Sequence, residues 1–269
     1  MNSARDEGSA FLPVDMSGVR VLVTAGGAGI GRTIAAAFHE RGARVYICDI
    51  APDALTEVTT SLPGVQGELV DVGDPAAVAR LFASLERALG GLDVLVNNAG
   101  IAGPTARVES VTPAALEQTL AVNVSSQFHC ARHAVPMLKA AGGGSIINMS
   151  SIAGRLGFTM RSPYSASKWA VVGFTKSLAI ELGDSNIRVN TILPGHVNTD
   201  RFRRVVKAKS EALGLGVDEM RRQYLDVVSL KRTVDTADIA NMALYLASPF
   251  GASITGQAIS VCGDVQMMK

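Results

Sequence analysis

Val19-Arg20-Val21-Leu22-Val23-Thr24-Ala25-Gly26-Gly27-Ala28-Gly29-Ile30-Gly31 is the stretch whose reading decides the fold. Its first six residues form a short β-branched apolar run, the composition of a strand buried on both faces. The run passes directly into a glycine-rich turn. A helical pattern follows, with Ile34, Ala35, Phe38 and His39, until Gly42 stops it. A strand, a glycine loop and a helix in that order make a resting place for a pyrophosphate. Amides at the helix start point outward, the dipole favours an anion, and glycine lets a phosphate approach the main chain. The spacing is not G-x-G-x-x-G, so the commonest dinucleotide fingerprint is absent.

The next strand sharpens this reading. Arg44 to Cys48 ends at Asp49, eighteen residues beyond Gly31. An acidic residue about 20 positions on, at the end of the second strand, is placed to accept hydrogen bonds from an adenosine ribose. It would repel a 2′-phosphate, which favours NAD over NADP. The competing reading is an aspartate that caps the helix starting near Pro52-Asp53-Ala54.

The alternation continues along the chain. Val65 to Val70 is a third strand that runs into Asp71-Val72, and Asp74-Pro75 caps and opens a helix. That helix carries Val78, Leu81, Phe82, Leu85 and Leu89 on one face. Asp93 to Val96 is the fourth strand and delivers Asn97-Asn98-Ala99-Gly100 to the carboxyl edge, where open α/β sheets bind ligands. Thr112-Pro113 opens a helical stretch to Lys139 that holds Asn123 among apolar neighbours, where a buried amide needs partners. His129 and His133 lie four apart there, but no further ligand at metal-binding spacing joins them, so no metal is expected.

Gly144 to Ser150 is the fifth strand, and it brings Ser150 and Ser151 to the same edge. Neither lies in G-x-S-x-G, so a hydrolase elbow is not supported. A helix from Ser162-Pro163 to about Leu182 follows, then a sixth strand, Ile187 to Leu193. After Pro194-Gly195-His196-Val197-Asn198-Thr199 comes a segment to Thr233 with nine basic and five acidic residues, +4 against −3 for the rest of the chain. It reads as two helices beside the ligand edge. Asp235 to Ala247 is a further helix and Gln257 to Val261 a seventh strand. The expected fold is α/β: one doubly wound, Rossmann-type parallel sheet of about seven strands over residues 18–269, helices on both faces. Residues 1–17 are expected to be a flexible tail.

Tyr164-Ser165-Ala166-Ser167-Lys168 places a phenol and an ammonium on one helix face. A tyrosine with its ordinary pKa near 10 needs roughly 4 kcal/mol of help to act as a base near pH 7. One cation about 4 Å away, at an effective dielectric near 20, supplies on the order of that amount.

Composition excludes several classes. The 269 residues are 48% hydrophobic, 18% charged and 5% aromatic, with a net charge of +1. That leaves no electrostatic footprint for nucleic acid or anionic membrane and no aromatic platform for bases. No apolar run approaches the length of a membrane span, and the apolar run near the start is too short for a signal peptide. Cys48, Cys130 and Cys262 are odd in number and far apart, as in a reducing, cytoplasmic compartment.

With these motifs assembled, the chain resembles the short-chain dehydrogenase/reductase family over residues 18–266. The carriers are the loop Thr24 to Gly31 (with Ala25 where the family has glycine), Asn97 to Gly100, Asn123, Tyr164-x-x-x-Lys168 and Pro194-Gly195. The resemblance selects Ser151, thirteen residues before the tyrosine, over Ser150. It implies Tyr164 as acid/base, Ser151 as a partner of the same substrate oxygen, Lys168 as modulator and ribose ligand, and Asn123 as holder of a relay water. It further implies a cofactor cradle of Gly27, Gly29, Ile30, Gly31, Asp49, Asp71, Val72, Asn98, Ala99, Gly100, Tyr164, Lys168, Pro194, Gly195, Val197 and Thr199.

The implied activity is NAD(H)-dependent interconversion of a secondary alcohol and a ketone. An NADPH-dependent carbonyl (3-oxoacyl-type) reductase and a non-catalytic dinucleotide-binding protein are the alternatives. The resemblance also implies a homotetramer, with 199–233 as a substrate lid. The basic excess of that lid, with Arg155 and Arg161, suits an anionic small-molecule substrate, and His196 suits a polyol or an acid.

Overall fold

Successive side chains of the first strand, β1 (Arg20–Thr24), point into two different cores, which is why its sequence is apolar throughout. Val21 and Val23 join one cluster with Ile34, Phe38, Ile239 and Leu244. Leu22 joins the other, with Leu81, Leu85, Leu138 and Leu182. The computed structural model describes residues 10–266. Seven parallel strands lie in the order β3-β2-β1-β4-β5-β6-β7. After β1 these are β2 (Arg44–Asp49), β3 (Gln66–Leu69), β4 (Val94–Asn97), β5 (Gly144–Met149), β6 (Ile187–Pro194) and β7 (Ala258–Val261). Helices α1 (Gly29–Glu40), α2 (Pro52–Ser61) and α9 (Thr236–Ala247) supply the first core; α3 (Pro75–Leu89), α5 (Ser126–Ala140) and α6 (Ser162–Leu182) supply the second. The doubly wound sheet read from the sequence is the fold observed.

The order in which strands are added to the sheet reverses between β1 and β4, so the loops after those strands splay apart and leave a crevice. Arg20 fixes that junction. Its Nε and Nη2 each lie 2.8 Å from an oxygen of Asp93. A second buried network holds α6 against the sheet: Asn97 Nδ2 donates to Asn148 Oδ1 and Asn148 Nδ2 to Thr175 Oγ1, both 2.9 Å. Thr191 Oγ1 donates to the Asn148 carbonyl, 2.8 Å. Strands β4, β5 and β6 thereby set the position of the helix that carries Tyr164 and Lys168.

Two expectations need correction. Residues 10–17 are not loose. Val14 and Met16 are buried in the first core, and Leu12 N–H donates to Asn241 Oδ1 (2.6 Å). Arg41 Nη2 donates to the Phe11 carbonyl, 2.9 Å. Phe11, Leu12, Val14 and Met16 are apolar enough to cover the α1–α9 side of the sheet, and that outweighs the nearby charges. Residues 1–9 of the expected tail lie outside the described residues. The stretch from Thr112 to Lys139 is also not one regular helix: α4 (Pro113–Leu120) and α5 are joined by a π-helical turn, Ala121–Ser125. The widened turn, of a kind frequent at functional sites, carries Asn123, fully buried.

Beyond β6, α7 (Asp200–Leu213) and α8 (Val217–Asp226) pack on each other over the carboxyl edge through Val206, Met220 and Tyr224.

Candidate active site

The glycine loop is shaped by contacts that leave no room for side chains. A Cβ on Gly31 would fall 2.1 Å from the Ala25 carbonyl oxygen, and one on Gly27 would fall 2.8 Å from Asp49 Oδ2. Gly29 has φ +53°, natural for glycine, whereas Ala25 holds φ +51° with a methyl. Helix α1 begins behind Ala28, which offers no side-chain cap, so its first amides have no side-chain acceptor there. An uncapped helix start over close-packed glycines fits the diphosphate of a dinucleotide.

Asp49 stands beside the loop. Its Oδ2 accepts from Gly27 N–H (2.9 Å) and its Oδ1 from Ala51 N–H (3.0 Å). Asp49 thus holds the residue that precedes α2, and each of its oxygens keeps further acceptor capacity. Asn98 braces the loop from β4, its Nδ2 donating to the carbonyls of Thr24 (3.0 Å) and Ala25 (3.1 Å). Asn98 and Ala99 donate their N–H groups to Thr24 Oγ1. Asp71 closes its own turn by accepting from Gly73 N–H, beside buried Val72.

At the other end of the crevice Ser151, Tyr164 and Lys168 line one pocket, with Ile30, Asn98, Pro194, Gly195, Val197 and Thr199. Ser150 Oγ donates to the Lys168 carbonyl (2.7 Å) and is committed to the backbone. Ser151 is partly open, its Oγ accepting from Ala153 N–H at 3.2 Å. Lys168 is buried. Its Nζ donates to the Met149 carbonyl (2.9 Å) and sits 5.7 Å from the centre of the Tyr164 ring. Burial first, and Arg201 second, bring the ammonium down to about 7.

Asn123 is held by protein on both ends of its amide. Its Oδ1 accepts from Ile101 N–H (2.7 Å), and its Nδ2 donates to the Ile101 carbonyl (3.1 Å) and to Ser167 Oγ (3.0 Å). The amide thus anchors the loop after Gly100 to α6. Both Asn123 Oδ1 and Lys168 Nζ crowd Gly100, where a Cβ would lie 3.1 and 3.3 Å from them.

The remaining wall was less legible in sequence. Gly195 abuts Cys262, where a Cβ would come within 2.7 Å of its Cα, and Val197 pairs with Val234. Thr199 caps α7 by accepting from Phe202 N–H at 3.3 Å. Phe158, Phe202, Val205 and Tyr224 complete an aromatic and aliphatic lining around His196. The His196 ring lies 5.3 Å from Phe202 and 4.9 Å from Tyr224. Burial, then Lys209, pushes His196 down to about 4, so its imidazole is neutral at ordinary pH. Arg161 lines the pocket and Arg155 does not: Arg155 donates to Ser260 Oγ and the Ala258 carbonyl on β7. The signal for Phe202 and Tyr224 was present as two rings inside a basic, helical segment, but helical spacing alone does not say which face turns inward. Away from the pocket, His133 stacks on Phe82 at 5.5 Å.

Comparison with known proteins gives the same picture. Residues 24–264 match a family model described as enoyl-(acyl carrier protein) reductase. A D-beta-hydroxybutyrate dehydrogenase from Rhizobium meliloti (strain 1021) is 32% identical, covering 90% of this chain and 96% of that protein. Among solved structures, NAD+-bound xylitol dehydrogenase superposes with a TM-score of 0.89 at 27% identity, over 93% of this chain and 100% of the other. An actinorhodin polyketide ketoreductase variant with NADPH superposes with a TM-score of 0.88 at 31% identity, over 94% and 98%. The chain belongs to the short-chain dehydrogenase/reductase family, oxidoreductases that act on CH–OH groups.

Proposed function

We propose that the protein is an NAD(H)-dependent oxidoreductase that interconverts a polar or anionic secondary alcohol and its ketone. The observation that carries this reading is the convergence of Ser151, Tyr164 and Lys168 in one pocket at the open end of the glycine-loop crevice. A nicotinamide dinucleotide held by the glycine loop and the Pro194–Thr199 segment would supply the hydride acceptor for oxidation of the carbinol carbon and the hydride donor for the reverse. Tyr164 Oη takes the hydroxyl proton in the first direction and gives it back in the second. Ser151 Oγ donates a hydrogen bond to the reacting oxygen. Lys168, brought down to about 7 by burial, holds its Nζ 5.7 Å from the centre of the Tyr164 ring, beside the reacting oxygen. Asn123 holds the Ile101 backbone and α6 in register around that centre.

Asp49 supports NAD as the cofactor. Its carboxylate stands 2.9 Å from Gly27 N–H with no cation paired to it among the described residues, and a 2′-phosphate brought there would be repelled. We read the chain from residue 10 onward as one domain, with 199–233 as the lid over the substrate. Phe128 and Trp169, half-exposed, and Ile180, 85% exposed, lie on α5 and α6 and support self-association through those helices as a homotetramer. Among the described residues no helix is long and apolar enough to cross a membrane. The three free cysteines support a cytoplasmic setting.

A screen of hydroxy acids, sugars and neutral alcohols, and of their ketones, followed by NADH absorbance in both directions, tests this reading. Turnover with NAD at least tenfold more efficient than with NADP is the expected result. A preference for NADPH would overturn the assignment to Asp49 and favour a carbonyl reductase instead.

A further inference from the structure

Of the nine basic residues between Thr199 and Thr233, eight are exposed and Lys209 alone is buried. Its ammonium lies 5.1 Å from the centre of the Tyr224 ring, at the back of the pocket. From the other side the pocket receives Arg161, only 7% exposed. Arg161 Nη2 donates to the Ala102 carbonyl (3.0 Å), but its buried Nε has no hydrogen-bond partner. Among the described residues no carboxylate pairs with it. Burial works against its charge, the neighbouring Tyr164 and Tyr224 favour it, and Arg201 opposes it; Arg161 in turn opposes the charge of Lys209.

A guanidinium taken out of water beside other cations is strongly unfavourable unless something anionic completes the site. A buried donor left without an acceptor adds to that cost. Nothing in the catalytic geometry requires the arrangement, because Lys168 already supplies a cation beside Tyr164. The guanidinium also has the planar fork that matches a carboxylate.

We propose that Arg161 anchors a carboxylate-binding subsite, and that the substrate is a hydroxy or oxo acid whose carboxylate rests on Arg161 while its carbinol reaches Tyr164. The guanidinium carbon lies 4.7 Å from the centre of the Tyr164 ring, so the two substrate groups are separated by a short chain. Phe158 and Phe202 face the remainder of that chain, and the buried, unpartnered Nε2 of His196 gives it a neutral hydrogen-bonding neighbour. The inference deepens the oxidoreductase reading and rests on it for the carbinol end only.

The test compares 2-, 3- and 4-hydroxypentanoate with the matching hydroxypentanamides, which keep shape and reacting carbon but lose the charge. The best acid is expected to exceed its amide at least 100-fold in kcat/KM, mostly through KM. In Arg161→Gln that ratio collapses toward one, and in Arg161→Lys it is partly restored. Equal use of acid and amide by the unaltered enzyme overturns the subsite, and that comparison needs no variant. So does an Arg161→Gln enzyme that loses both substrates in the same proportion, since this would mark Arg161 as acting on Tyr164. A second readout is independent of turnover: pentanoate, which cannot react, should raise the melting temperature of the unaltered protein and not of Arg161→Gln, and pentanamide should raise neither. Pentanoate binding without turnover of any alcohol would leave the subsite standing and sink the oxidoreductase reading. Turnover without acid preference would do the reverse.

Discussion

Ala25 holds a conformation that glycine takes without cost, φ +51° at the mouth of the glycine loop. The left-handed region costs a residue with a Cβ about 1–2 kcal/mol, while glycine in its place loses about 0.4–1 kcal/mol through the greater freedom of the unfolded chain. Ala25→Gly should therefore stabilise the protein by about 0.5–1 kcal/mol, read from denaturant midpoints at unchanged slope; destabilisation would mean that the methyl packs usefully. Lys168 presents the opposite case, a residue kept for chemistry at a cost in stability. The unfolded chain keeps its proton up to about pH 10.4. The folded chain keeps it only to about 7. Between those values the unfolded state holds more protons, so this group's contribution to stability rises with pH. Lys168→Met should remove turnover yet stabilise the cofactor-free protein by about 1–3 kcal/mol at pH 7, net of the lost bond to the Met149 carbonyl. That gain should shrink toward pH 10 in paired thermal melts, and a gain independent of pH would contradict the account. Tyr164, Lys168 and Asp49 were legible as residues because their chemistry depends on spacing along the chain. Arg161 was visible only as a charge near the right stretch. Its value lies in burial without a counter-ion, a property of the folded chain alone.

Strands and helices on the core were readable wherever one rule controlled them. Helix α6 was bounded correctly by Ser162-Pro163 and Leu182. The π-helical turn at Ala121–Ser125 was not, since an inserted residue within a helix leaves the apolar spacing on either side almost unchanged. The segment before β1 has no helical or strand period, so Leu12, Val14 and Met16 reveal their place on the first core only in the folded chain. Met16 is 2% exposed, so Met16→Ala should cost about 2–4 kcal/mol by thermal or urea unfolding. A loss below about 0.5 kcal/mol would show that this segment adds nothing to the first core. Helices α7 and α8 are readable as helices, while the inward turn of Lys209, Phe202 and Tyr224 is not, because an amphipathic pattern names two faces without saying what lies against either.

At the scale of the whole molecule, the sheet order brings to one edge residues that are far apart in sequence, with Asp49 and Gly31 on one side of the crevice and Ser151 and Thr199 on the other. The Asn97–Asn148–Thr175 network and the Asn123 anchor hold α6 to that edge. The outer faces of α5 and α6 carry Phe128, tilted against Phe174 with ring centres 3.9 Å apart, and the half-exposed Trp169. Light scattering should give about four times the 28.0 kDa chain mass, and a monomer at micromolar concentration would refute the tetramer. In the proposed reaction this edge transfers a proton through Tyr164, while most contacts to the dinucleotide come from other residues along the crevice. That division is tested most directly by Tyr164→Phe, assayed for turnover of the best alcohol and, by titration, for NAD binding. The account predicts a fall in kcat of about 10³-fold or more with the NAD Kd within about threefold of the unaltered protein; turnover within tenfold of the unaltered enzyme would contradict it.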